Sequence, residues 1–198
     1  LAEQARTHDA WLLVDDAHAM GVINGGRGSG FDDAGQSLGV DLAMGTLSKA
    51  AGAYGGYVAA SRAAVDYLIN RARSLIFTTG LPPGVLAAAE KAVQLIEEDA
   101  ELTALPLARA RAFTAALGLD EAESAVVPLV LGDEARALDA SARLAERGFL
   151  VTAIRPPTVP AGTSRLRFTF SAAHSEDDVA QLAAAVRALG LAPGAAAA

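Results

Sequence analysis

The stretch that most constrains the fold is Trp11-Leu12-Leu13-Val14, which runs directly into Asp15-Asp16-Ala17-His18. Large apolar residues without alternation read as a parallel strand covered on both faces. Two carboxylates and a histidine where the run stops mark a carboxyl end that opens into a crevice, the place where open α/β sheets bind their ligands. A second run, Val40 to Met44, leads into Gly45-Thr46-Leu47-Ser48-Lys49 and then the small-residue stretch Ala50 to Gly56. With no bulky neighbour holding the backbone away, Lys49 can bring its amine close to a bound ring. An amine placed in this way suits Schiff-base chemistry.

The rest of the chain reads as alternating helices and strands. Residues 2–9 finish a helix, 11–15, 40–45 and 56–60 are strands, and 24–35, rich in glycine and charge, is a loop crossing the crevice. Ser61 caps a helix to about Arg73; residues 74–79 are read as extended; Pro82-Pro83 opens a helix to about Glu98. After a helix over 101–117 come a strand at 125–131, a helix capped by Asp133 and stopped by Gly148, and a strand at 150–154. Residues 165–171 alternate Leu166, Phe168 and Phe170 with Arg165, Arg167 and Thr169, which predicts a half-buried strand with one arginine-bearing face. Ser175 with Asp178 resembles a capping box ahead of a last helix. The expected division is a larger α/β domain over 1–100, a small α+β domain over 101–192, and a disordered tail over 193–198.

Charge and composition narrow the function. A formal net charge of -7 argues against a nucleic-acid partner, which needs clustered basic surface. The absence of cysteine removes disulfides and thiolate metal sites, and no metal site is expected. Without a long apolar run or a signal peptide at Leu1, no membrane association is expected and the default location is cytoplasmic.

Asp15-Asp16-Ala17-His18, Gly26-Arg27-Gly28-Ser29-Gly30 and Thr46-Leu47-Ser48-Lys49-Ala50 with Gly55-Gly56-Tyr57 resemble the pyridoxal-phosphate-dependent α-oxoamine synthases. The resemblance implies the C-terminal part of a fold-type I transferase, with a mostly parallel sheet in the large domain and a small α+β domain. It implies that a further N-terminal region supplies the phosphate turn and an aromatic residue that stacks on the cofactor. Under it, pyridoxal 5'-phosphate is held by Asp15 at the ring nitrogen, His18 at the phenolic oxygen, Lys49 at the aldehyde, and Thr46, Thr78 and Thr79 near the phosphate, with Lys49 and His18 as the catalytic residues. Arg167 matches the family's carboxylate-binding arginine, and Arg155 and Thr158 in the Ile154 to Thr163 loop are placed to meet substrate. That loop resembles the family member that condenses L-alanine with a pimeloyl thioester, carried by coenzyme A or an acyl carrier protein, in biotin biosynthesis. A homodimer is implied.

Read from residue type alone, each assignment has a plainer rival. Asp15 or Asp16 can cap the following turn, His18 can be a satisfied structural histidine, and Arg165 with Arg167 can be a surface pair. Lys91, the second lysine, lies on an amphipathic helix where solvation is its natural role. A sister synthase using glycine with acetyl-CoA, or serine with a long acyl chain, shares Asp15, His18 and Lys49. A helicase is the distant alternative, because Leu13 to His18 resembles a strand-end magnesium motif, but the chain carries no phosphate loop of the required form.

Overall fold

A computed structural model describes residues 1–32 and 34–192. The expected tail at 193–198 lies outside the described residues. The chain divides into two compact units, one over Leu1–Ala104 and a second that starts at Leu105.

In the first unit a short helix α1 (Ala2–Thr7) precedes strand β1 (Leu13–Asp15), which pairs in parallel with β2 (Leu42–Thr46). Strand β3 (Gly56–Ala60) returns antiparallel to β2, with Thr46 opposite Gly56 and Gly45 opposite Tyr57. The connection from Thr46 to Gly56 is too short for the crossover that a parallel neighbour needs, so the lysine segment is a hairpin-like loop. Two further expectations are corrected. The strand at Leu13 is not covered on both faces: Trp11 is 75% and Leu13 60% exposed, because the faces of this sheet stay open among the described residues. Nor are residues 74–79 extended. Ala72 breaks helix α2 (Arg62–Arg71), whose N-cap Ser61 accepts the Ala64 amide, and the chain takes one more helical turn, α3 (Arg73–Ile76). The amides of Leu75 and Ile76 close that turn on the Ala72 carbonyl, and the Arg73 guanidinium lies over the Phe77 ring at 5.6 Å.

Helix α4 (Pro83–Glu98) begins with a proline in its first turn. Helix α5 (Ala100–Leu117) follows, with Asp99 accepting the Leu102 amide at its start and Pro106 inside it.

In the second unit β4 (Val126–Gly132), β5 (Thr152–Ile154) and β6 (Ser164–Thr169) form an antiparallel sheet of order β4-β6-β5. Helices α6 (Glu134–Ala145) and α7 (Glu176–Ala188) carry the caps the sequence predicts: Asp133 accepts the Arg136 amide, and Ser175 and Asp178 close a capping box. The alternation in β6 is realised, with Leu166 and Phe168 buried and Arg167 exposed. Phe113 of α5 is fully buried in this unit's core, its ring 4.7 Å from that of Phe168 and 5.2 Å from that of Phe170. Leu144 of α6 and Val186 of α7 are likewise fully buried in the same cluster.

Truncating Phe113 to alanine removes the ring that contacts both Phe168 and Phe170, and urea unfolding should show the second unit destabilised by about 3–5 kcal/mol. Leu150→Ala, at a residue 97% exposed, should stay within about 0.5 kcal/mol of the parent. Hydrogen bonds from Ser175 hold the Asp178 carboxyl below its ordinary value. A depressed carboxyl stabilises the fold above its unfolded value and loses that effect as pH falls through the folded one. Acid titration of the helix signal should therefore show a component that Asp178→Asn removes.

Candidate functional site

Parallel pairing fixes the geometry of the candidate site. Asp15 lies opposite Met44, so the ends of β1 and β2 emerge on the same edge of the sheet. Thr46 is two residues beyond that register, roughly 7 Å along the strand, and Lys49 follows in a bend. Asp15, His18 and Lys49 are all exposed at this edge. The Asp15 carboxylate uses Oδ1 to accept the Ala17 amide at 2.9 Å.

The lysine loop is closed by Thr46. Its hydroxyl donates to the Gly55 carbonyl at 3.0 Å, and Oγ1 also lies 2.8 Å from Ser48 Oγ and accepts the Ser48 amide at 3.3 Å. With the one hydroxyl proton on Gly55, Ser48 is the donor in the side-chain pair. The Leu47 amide reaches the Gly55 carbonyl at 2.9 Å, the Ala53 amide the Leu47 carbonyl at 2.8 Å, and the Gly52 amide the Lys49 carbonyl at 3.0 Å. Lys49 thus projects from a loop whose backbone is pinned at its base.

Thr78 and Thr79 are exposed in the irregular segment after α3. Leu81, just beyond them, packs on the lysine loop: a Cβ on Gly55 would come within 2.7 Å of Leu81 Cδ1. The glycine-rich stretch packs against a helix. Gly26 has φ of +82° and lies so near α4 that a Cβ there would sit 2.7 Å from Ile96 Cγ2.

Two residues that the sequence leaves unassigned stand out. Asp16 is buried, whereas its neighbour Asp15 is exposed, and the Ser29 amide donates to both Asp16 carboxylate oxygens at 3.1 and 3.2 Å. Tyr57 faces Gly45 across the β2–β3 pair so closely that a Cβ on Gly45 would lie 2.5 Å from the phenol. Burial first, then the Asp16 carboxylate, pushes the Tyr57 phenol above its ordinary value. Nothing in the Asp15-to-His18 stretch marks Asp16 for burial, because the donors that meet its carboxylate come from Ser29, thirteen residues on.

The predicted substrate residues belong to the second unit. Arg155 Nη1 is 3.1 Å from Glu134 Oε1 in a half-exposed ion pair, and the Thr158 amide donates to the Arg155 carbonyl at 3.1 Å. Arg167 is exposed on β6, between Pro128 of β4 and Thr152 of β5. Its neighbour Arg165 is half-buried, and Nε donates to the Thr163 carbonyl at 2.9 Å. No group of metal-ligating side chains and no helix long and apolar enough to cross a membrane occurs among the described residues.

A family model for aminotransferase class I and II matches residues 1–186. A curated relative from Methylocella silvestris, an 8-amino-7-oxononanoate synthase, is 59% identical over 187 residues, which cover 94% of this chain and 53% of the relative. Among solved structures, serine palmitoyltransferase from S. paucimobilis with bound PLP–myriocin aldimine superposes with a TM-score of 0.82 at 30% identity, over 96% of this chain and 50% of that one. An 8-amino-7-oxononanoate synthase from Francisella tularensis gives 0.77 at 25% identity, over 95% of this chain and 58% of that one. The chain therefore spans about half the length of the relatives it matches.

Removing the Thr46 hydroxyl should loosen the lysine loop. Thr46→Val is expected to cost about 1 kcal/mol and to raise hydrogen exchange at the Leu47 and Ser48 amides, whereas Thr46→Ser should leave both near the parent.

Proposed function

We propose that this chain, which belongs to the aminotransferase class I and II family, carries the lysine- and arginine-bearing part of an 8-amino-7-oxononanoate synthase that uses pyridoxal 5'-phosphate. The reaction joins L-alanine to a pimeloyl thioester, on coenzyme A or an acyl carrier protein, and releases carbon dioxide, the free thiol and 8-amino-7-oxononanoate. The observation that carries this reading is the 59% identity over 187 residues with a synthase of that name. A cytoplasmic homodimer is the proposed form, with Thr78 and Thr79 reaching the phosphate of a neighbouring subunit's cofactor.

The donor set at the sheet edge fits the cofactor. Asp15 offers a carboxylate with Oδ2 unpartnered among the described residues, and Lys49 offers an exposed amine on a loop of small residues. Pyridoxal phosphate, when bound, supplies an aldehyde that condenses with amines and a ring that withdraws electrons from the carbon bonded to that nitrogen. The Asp15 carboxylate would meet the ring nitrogen and favour its protonated form, and His18 would meet the phenolic oxygen. Lys49 Nζ would hold the aldehyde, and the same amine, when free, would be the base for the α-proton of alanine. Thr46 steadies the loop that aims this amine. In the second unit, Arg167 binds the alanine carboxylate through its guanidinium, and Arg155 and Thr158 meet substrate.

A serine palmitoyltransferase activity is the second reading, favoured by the TM-score of 0.82 with the S. paucimobilis enzyme. Its 30% identity is about half that to the first synthase, which is why alanine and pimeloyl are preferred.

Borohydride reduction of the protein with pyridoxal phosphate, followed by peptide mapping, should place the cofactor on Lys49. Lys49→Ala should abolish the adduct and Lys91→Ala should retain it. An adduct on Lys91, or none, would sink the Schiff-base assignment. Release of carbon dioxide from alanine with a pimeloyl thioester, against serine with a long acyl thioester, separates the two activities.

A further inference from the structure

Asp15 and Asp16 are adjacent carboxylates with opposite fates. Asp15 is exposed at the sheet edge, while Asp16 is 4% exposed. A carboxylate withdrawn from water must be met by donors, and Asp16 is met by Ser29, through both the amide at 3.1 and 3.2 Å and the hydroxyl, which bonds Oδ1. Gly28, with φ of +91°, presses its backbone on the same carboxylate, since a Cβ there would lie 2.5 Å from Oδ2. The backbone of Asp16 is engaged as fully as its side chain. Its amide donates to the Met44 carbonyl at 2.7 Å, and its carbonyl accepts the Ala19 and Met20 amides, each at 3.0 Å. A single residue therefore ties the end of β1 to β2, to the turn that contains His18, and to the glycine-rich loop. That loop has support of its own, from Asn24 Nδ2 to the Gly28 and Phe31 carbonyls at 3.0 and 2.6 Å.

We propose that Asp16 is a positioning residue of the cofactor site: clamped on Ser29, it fixes the peptide from Asp15 to Met20 and thereby sets where the Asp15 carboxylate and the His18 imidazole stand. The inference rests on the reading of Asp15 and His18 as cofactor contacts. Asp16 touches neither substrate nor cofactor and acts through its neighbours.

The test compares Asp16→Asn, Ser29→Ala and Ser29→Thr with the parent in two measurements. Hydrogen exchange at the Ala19, Met20 and Ser29 amides, with no cofactor added, reads the clamp itself. Absorbance titration with pyridoxal phosphate reads its effect on the site. Asp16→Asn should speed exchange at all three amides and weaken cofactor binding about tenfold, as expected for loss of a hydrogen-bonded charge. Ser29→Ala should do the same to a smaller degree, and Ser29→Thr, which keeps the hydroxyl, should match the parent. Faster exchange in Asp16→Asn and Ser29→Ala with unchanged cofactor affinity would make Asp16 a structural residue only and overturn the proposal, as would parent-like exchange in both. If Asp16→Asn fails to fold, Ser29→Ala and its threonine counterpart decide the matter alone. Asp15→Asn separates the two failures. Weak cofactor binding in Asp15→Asn beside parent-like binding in Asp16→Asn overturns this inference alone, whereas parent-like binding in Asp15→Asn overturns the cofactor reading and the positioning role with it.

Discussion

The parallel register of β1 on β2 is the constraint on which the candidate site depends. Because Leu13, Val14 and Asp15 pair with Leu42, Ala43 and Met44 in the same direction, two chain segments about thirty residues apart end on one edge. An antiparallel pairing would send the Asp15 carboxylate and the lysine loop to opposite edges. Residues proposed for one site would then lie at opposite ends of the strands. The antiparallel return of β3 serves a separate end: it closes the Thr46–Gly56 loop at its base and leaves Lys49 at the tip of a short, pinned segment.

The two units reach order by different means. The second has a shared core in which Phe113, Phe168, Leu144 and Val186 are all but excluded from solvent, so burial of apolar surface is enough to account for its cohesion. Around β1, Trp11 and Leu13 are largely exposed among the described residues, and polar contacts join the neighbouring segments: the Asp41 carboxylate on the Leu12 amide at 2.8 Å, Asp16 on Ser29, and Thr46 on Gly55. Order of that kind is directional. It places atoms well and contributes modestly to stability.

Features with a local cause were legible in the sequence. Ser61, Asp133 and Ser175 cap helices because a short oxygen-bearing side chain ahead of an apolar repeat has few better uses, and Gly148 takes φ of +86° after α6. The alternation from Arg165 to Phe170 likewise encodes its own two faces. What escaped were features set by packing partners or by backbone geometry that residue types do not mark. The open faces beside Leu13 depend on what does or does not pack over them, the direction of β3 on loop length, and the extra turn at Arg73 on backbone bonds to Ala72. For the site, residue types pointed to Asp15, His18 and Lys49. The burial of Asp16 is a fact about residue 29 and was invisible from residue 16.

Pro106 lies in α5 just past Leu105, where the second compact unit begins. Proline has no amide hydrogen, so the Leu102 carbonyl lacks the rung that an unbroken helix would give it. Considered as an elastic rod, α5 has its bending modulus lowered at one place along its length, and that place coincides with the boundary between the units.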